Sequence, residues 1–170
     1  APGTGFLTDV CRDWEGATEV ASRAGIRVVN ARIGIVLSRR GGALKKMLFP
    51  FQMGVGGKIG SGRQYMSWIA LDDVVGAIMY AIKTPSIKGP VNLVAPAAAT
   101  NAEFTQALGK ALHRPTIAPL PAFVVRLAFG EMGEALLLGS QRVEPMRLRE
   151  AGYQFQYPTL DAALRRALQA

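Results

Sequence analysis

GGALKKMLFPFQMGVGGKIGSGRQYMSWIALDDVV, residues 41–75, holds a helix start, a glycine-rich loop, a strand and a second helix start in unbroken succession. Residues 43–51 read as a short helix stopped by Pro50 and the glycines after it. Residues 53–64 must be loop, because neither helix nor strand tolerates that glycine density. Residues 65–71 read as a strand, and Asp72 or Asp73 then caps a helix through Lys83 whose Val74, Val75, Ile78, Met79 and Ile82 face inward. Just upstream, IRVVNARIGIVL at 26–37 is β-branched and nearly continuous in apolar character, as expected of a strand covered on both faces of a parallel sheet. Before it, residues 6–24 read as a helix in which Leu7, Val10, Cys11, Trp14, Ala17, Val20 and Ala21 make one buried stripe, ended by Gly25. Helix, turn and buried strand in that order are the units of an α/β fold.

Downstream, residues 90–94 read as another strand. Thr100 with Glu103 forms a capping box for a helix with Phe104, Leu108, Ala111 and Leu112 on one face, closed before Pro115. Prolines at 119, 121, 145 and 158 then punctuate helical pieces over 122–129, 132–138 and 145–151, followed by a helix over 159–168; Gly152 suits a C-terminal cap. The expected division is 1–115 as a sheet-bearing domain and 116–170 as a small, mainly helical lobe. A doubly wound nucleotide-binding sheet begins with strand, glycine turn and helix. This chain starts on a helix and offers about three core strands, too few to cover its helices. Either the fold is small and unusual, or the chain is the C-terminal part of something larger.

Composition narrows the function classes. With 170 residues, 49% of them hydrophobic, the chain lies in the globular range. Its most apolar region, 118–138, is broken by Arg126, Glu131 and Glu134 and cannot span a membrane, and its first ten residues lack the basic end and apolar run of a signal peptide. The lone Cys11 excludes an internal disulfide and a cysteine metal cluster, so a reducing cytoplasm is the expected setting. Net charge is +8, yet no Asp or Glu falls between Val20 and Leu71, where Arg23, Arg27, Arg32, Arg39, Arg40, Lys45, Lys46, Lys58 and Arg63 all stand. Either a phosphate ligand, nucleic acid or another polypeptide segment supplies anions there, or the segment is a solvated basic face.

Specific motifs are sparse. Gly54, Gly56, Gly57, Gly60 and Gly62 invite a phosphate-loop reading, but Ile59 stands where the last glycine of a dinucleotide fingerprint belongs, and it also follows Gly57-Lys58 in place of the Ser or Thr of a Walker loop. What remains is a loop whose Lys58, Arg63 and Gln64 could close over an anionic or sugar-like ligand, or a simple long connection. None of Tyr65, Tyr80, Tyr153 or Tyr157 has the Lys four residues on that would make a reductase acid–base pair. One His and one Cys make no metal site; His113 reads as a helix-end residue, and Trp14 and Trp68 as core, with Trp68 also able to line a pocket.

RDWEGA (12–17), RIGIVLSRRGGALKKM (32–47), GGKIGSGRQYMSWIALDD (56–73) and GPVNLVAP (89–96) together resemble the C-terminal half of the epimerase-like extended short-chain dehydrogenases/reductases. The similar branch is that of the cell-division-inhibitor-type nucleoside-diphosphate-sugar epimerases, and 119–158 is similar to its small C-terminal domain of unknown function. The resemblance implies an α/β fold, the C-terminal portion of a Rossmann-type doubly wound sheet plus a small helical substrate-side lobe, with NADP or NAD as cofactor. It implies cofactor contact at Arg32, Gly34, Ile35 and Val36, and substrate contact at Leu37, Ser38, Arg63, Gln64 and Trp68. The chain departs from that family at Met66, where extended epimerases carry a sugar-phosphate-binding Arg, and at Ala70, where relatives carry His. No catalytic residue and no metal ligand is assigned.

Two functional readings follow. One is the substrate-side half of an NAD(P)-dependent epimerase- or reductase-like protein, inactive as the isolated 170 residues, with a small, sugar-like substrate and either a missing N-terminal half or a homo-oligomer to complete it. The other is a non-catalytic interaction module, which requires an exposed apolar face. Nucleic-acid binding ranks below both, because the basic residues are spread over several elements without interleaved aromatics.

Overall fold

In the computed structural model, residues 5–125, 127 and 137–169 are described. The elements run α1 (Phe6–Gly16), α2 (Glu19–Arg23), β1 (Val29–Ile33), β2 (Ile35–Leu37), α3 (Gly42–Gln52), β3 (Tyr65–Met66), β4 (Trp68–Ala70), α4 (Leu71–Lys83), β5 (Gly89–Leu93), β6 (Ala99–Thr100), α5 (Asn101–Leu112), α6 (Met146–Glu150) and α7 (Leu160–Gln169). The helix expected over 122–129 is helical at its described residues, 122–125 and 127. Most of the one expected over 132–138 lies outside the described residues.

The segment expected as one strand over 26–37 is two, divided at Gly34. Before it, β1 pairs in parallel with β5, Val29 opposite Gly89 and Ile33 opposite Leu93. After it, β2 pairs in parallel with β4, Ile35 opposite Trp68 and Leu37 opposite Ala70. The switch is carried by backbone: Gly34 N donates to Leu93 O (3.1 Å), Ile35 N to Ser67 O (2.8 Å) and Ala95 N to Trp68 O (2.7 Å). A Cβ at Gly34 would lie 2.6 Å from Ser67 O and 2.8 Å from Val94 Cγ1, so only glycine lets three extended segments meet there. The short β3 pairs antiparallel with β6.

Two cores flank β4, whose side chains alternate between them. Trp68 and Ala70 join Leu37, Leu44, Phe51, Phe104 and Leu108 with Ala163 and Leu164 of α7. Ile69 joins Val74, Ala77, Ala81, Val91 and Leu93 with Leu148 and Tyr153. The double coverage expected for 26–37 therefore belongs to β4; in the upstream segment only Leu37 is buried.

The apolar stripe of 6–24 is not buried. Two short helices divide that span, neither buries a residue, and Phe6 (78% exposed) and Trp14 (74%) point into solvent. Nothing in the described chain lies opposite them. In α4 the inward face is Asp73, Val74, Ala77 and Ala81, while Val75, Ile78, Met79 and Ile82 are exposed. Small alanines let the helix lie close on the sheet, and Gly76 admits Tyr153, whose hydroxyl would be 2.5 Å from a Cβ there.

Pro50 does not stop α3 but sits in its last turn, where the lost N–H removes one bond and the helix ends two residues later. The expected aspartate cap of α4 is also absent: Ala70 is the N-cap, with no side-chain hydrogen bond. Asp73 is 1% exposed and instead accepts from Gln156 N (2.7 Å), Tyr157 N (3.0 Å) and Tyr153 Oη (3.3 Å), fastening the C-terminal segment to the first turn of α4. Its negative charge suits the positive end of the helix dipole.

The Thr100–Glu103 capping box of α5 is present as expected: Glu103 N donates to Thr100 Oγ1 (3.2 Å) and Thr100 N to Glu103 Oε2 (2.7 Å). Thr100→Ala should lower stability by about 1 kcal/mol in urea unfolding. The backbone and then the hydroxyl of Thr100 hold the Glu103 carboxyl below its ordinary value of 4.5. The folded state thus binds that proton less well than the unfolded chain. The cap's contribution is therefore full above about pH 4.5 and fades as pH falls through the lower folded value. A variant whose deficit is unchanged well below that pH would refute this account.

Candidate functional site

Arg32, on exposed β1, forms a bidentate pair with Glu15 of α1, Nε to Oε1 and Nη2 to Oε2, both 2.6 Å. The guanidinium hydrogen bond holds the Glu15 carboxyl below its usual range, and the carboxylate raises Arg32 in turn. Gly34 and Ile35 spend their amides on Leu93 O and Ser67 O, and Val36 pairs with Ile69. The space a Cβ at Gly34 would need is filled by protein atoms. The amides of Gly34 and Ile35 and the guanidinium of Arg32 are therefore engaged within the chain.

The residues expected to face a substrate separate into three places. Leu37 and Trp68 are both in the first core, and Trp68 Nε1 is buried without a hydrogen-bond partner. Ser38 lies just past the carboxyl end of β2, where its hydroxyl accepts from Arg40 N (3.2 Å). There it lines a cavity of about 170 Å³ with Leu37, Arg39, Arg40, Asp72 and Arg166. The cations of that cavity are engaged: Arg166 Nε donates to Asp72 Oδ2 (2.6 Å) and Arg39 to Leu168 O (3.0 Å). Gln64 is buried, its Nε2 donating to Ile59 O (3.0 Å) and Leu137 O (3.1 Å). Arg63 stays exposed in the turn before it, its backbone N–H donating to Ser61 Oγ.

Sequence reasoning missed the strap at 140–144. Ser67 Oγ donates to Gln141 O (2.7 Å) and accepts from Val143 N (2.9 Å), while Tyr65 N donates to Ser140 Oγ and Asn92 Nδ2 to Glu144 O. This lays the strap along β3 and β4 and sets the Arg142 guanidinium 5.2 Å over the Tyr65 ring. No motif marks it; alternating backbone and serine partners from distant segments carry it. Met66 lies beneath, its Sδ accepting from Asn101 Nδ2 (3.5 Å).

Part of the acid-free basic segment also finds its acceptors within the chain. Arg27 donates to Ala81 O, Ile82 O and Ile87 O, at and just beyond the C-terminal end of α4, where carbonyls and the helix dipole favour a cation. Among the described residues, no helix is long and apolar enough to cross a membrane, and no cluster of His, Cys, Asp or Glu could hold a metal ion.

Residues 120–167 match the family model "Domain of unknown function (DUF1731)". Epimerase family protein Mb2239 of Mycobacterium bovis is 53% identical over 162 residues, 95% of this chain and 54% of that protein. Epimerase family protein SDR39U1 of Mus musculus is 47% identical over 161 residues, 94% of this chain and 54% of that protein. Among solved structures, human epimerase family protein SDR39U1 (isoform2) with NADPH superposes with a TM-score of 0.90 at 40% identity, covering 99% of this chain and 57% of that one. The chain thus has the α/β fold of Rossmann-type epimerases, is similar to epimerase family proteins along nearly all its length, and spans about half the length of those relatives.

Proposed function

We propose that this chain is the C-terminal, substrate-side half of an NAD(P)-dependent epimerase- or reductase-like protein of the cell-division-inhibitor-type branch, with 1–115 as its Rossmann-like part and 116–170 as its lobe. The observation that carries the reading is the uncovered flank. Helix α1 buries nothing, Phe6, Leu7 and Trp14 are exposed, and among the described residues no strand pairs with the edge of β1 opposite β5. A parallel edge beside an apolar helix wants another strand and its crossover. The similar proteins are nearly twice as long, and the human one was solved with NADPH.

On this reading the backbone from Gly34 to Val36, with Arg32, borders the nicotinamide, and the pyrophosphate is held by segments beyond these 170 residues. A small substrate, sugar-like in its polarity, would meet the Leu37, Ser38, Arg63, Gln64 and Trp68 side of the sheet. The free, exposed Cys11 suits a reducing cytoplasm. NADPH titrated against this chain and against a version extended upstream by the missing half should bind only the longer one. Tight binding to the short chain would overturn the proposal.

A second reading, a non-catalytic interaction module, is favoured by one separate observation. The exposed Val75, Ile78, Met79 and Ile82 give α4 an apolar outer stripe of its own. Light scattering separates the two: oligomers that persist when the upstream half is present belong to the module, and oligomers that it abolishes belong to the open flank.

A further inference from the structure

Away from the strand ends, a groove of about 400 Å³ runs between α5 and the segment 116–119, lined by Lys58, Ala102, Thr105, Gln106, Thr116, Ile117 and Pro119. Three features make it a built site. First, Thr105 is 4% exposed, and its hydroxyl is buried with no hydrogen-bond partner. An unmade bond of this kind is costly in a folded protein and marks a place where a polar partner belongs.

Second, Lys58 is held in position. Its carbonyl accepts from Leu120 N (2.9 Å), and the next amide, of Ile59, donates to Asn101 Oδ1 (2.7 Å). Gly62, at φ 72°, brings the loop back so that a Cβ there would lie 3.2 Å from Lys58 Cδ and 3.1 Å from Ala102 Cβ, which lays the lysine stem along the helix. Among the described residues no carboxylate pairs with its ammonium. Third, Thr116 is pressed onto the helix surface one turn beyond Thr105. A Cβ at Gly109 would stand 2.3 Å from Thr116 Cγ2.

The polar lining is thus one ammonium, two hydroxyls and one amide with no acid among them, beside the apolar surfaces of Ala102, Ile117 and Pro119. We propose that this groove binds a small organic oxyanion, a carboxylate or phosphate carried on a short apolar body, with Lys58 supplying the charge and Thr105 a directed donor. It stands independently of the cofactor reading.

The test is an amide NMR titration of the 170-residue chain with three probes: inorganic phosphate, butyrate and butylammonium. Saturable shifts at Lys58, Thr105, Gln106 and Thr116 are expected with phosphate, butyrate or both, and none with butylammonium. Response to phosphate alone assigns a phosphate ligand, to butyrate alone a carboxylate. Lys58→Ala should weaken binding about tenfold, and Thr105→Val about threefold without lowering the Tm, since the lost hydroxyl bonds nothing in the fold. Unsaturable shifts, an equal response to butylammonium, wild-type affinity in either variant, or a Tm loss in Thr105→Val would overturn the proposal.

Discussion

Asp73→Ala should unfold at a clearly lower urea concentration with an unchanged slope, a loss of roughly 3 kcal/mol. Hydrogen bonds to a charged acceptor contribute about 1.5–3 kcal/mol each, and this carboxylate receives the amides of Gln156 and Tyr157 and the Tyr153 hydroxyl. Asp73→Asn keeps an acceptor without the charge and should lose about half as much. Trypsin should then reach Arg147 and Arg149 sooner, because α6 hangs on the same fastening. Wild-type stability in Asp73→Ala would mean that the segment is held by its apolar contacts alone. The site also sets an alkaline limit. Burial first, then the Asp73 charge and hydrogen bond, push the Tyr153 phenol up to about 12 from 10.0. The folded state keeps a proton that the unfolded chain releases, so stability is full below pH 10 and falls as pH rises through about 12.

Gly34→Ala should be of similar size, a loss of about 3 kcal/mol, at the upper end of what forced overpacking produces. A methyl there meets the Ser67 carbonyl at 2.6 Å and Val94 Cγ1 at 2.8 Å, and one of these is backbone that cannot rotate away. Relief requires β2 to part from β4, which breaks the Ile35 N to Ser67 O bond (2.8 Å) and opens the wall of the first core. Thermal unfolding read by Trp68 fluorescence should show an earlier transition. A neutral result would show that the strand junction yields at little cost.

Local chemistry was the legible part of the sequence. The α/β class, the strand at 90–94, the capping box of Thr100 and Glu103 and the turn at Gly152 each depend on residues within a few positions, and each appears. What a helix faces is not local. In α4 the more hydrophobic stripe, Val75, Ile78, Met79 and Ile82, lies outside, because close approach to the sheet favours the small Ala77 and Ala81. In α1 the periodicity gave a stripe, but periodicity cannot say whether anything lies opposite it.

Partners far apart in sequence were equally hidden. Asp73 meets residues more than eighty positions away, and Arg27 finds carbonyls at and beyond the end of α4. For the candidate site, the family resemblance named residues that the fold sorts into a strand junction, a core, the rim of a cavity and a turn in which Gln64 is buried and Arg63 exposed. The strap at 140–144 carried no spacing that could have announced it.

Both cores are closed by residues 148–167: Leu148 and Tyr153 seal one, Ala163, Leu164 and Ala167 the other. Arg39 waits 129 positions for its acceptor on Leu168. During synthesis the early strands therefore leave the ribosome with their walls still inside the exit tunnel, and ring closure over so long a span must precede any reward. Until residues 148–167 have been made and docked, the earlier strands stay without their outer walls, so neither core can close ahead of that segment.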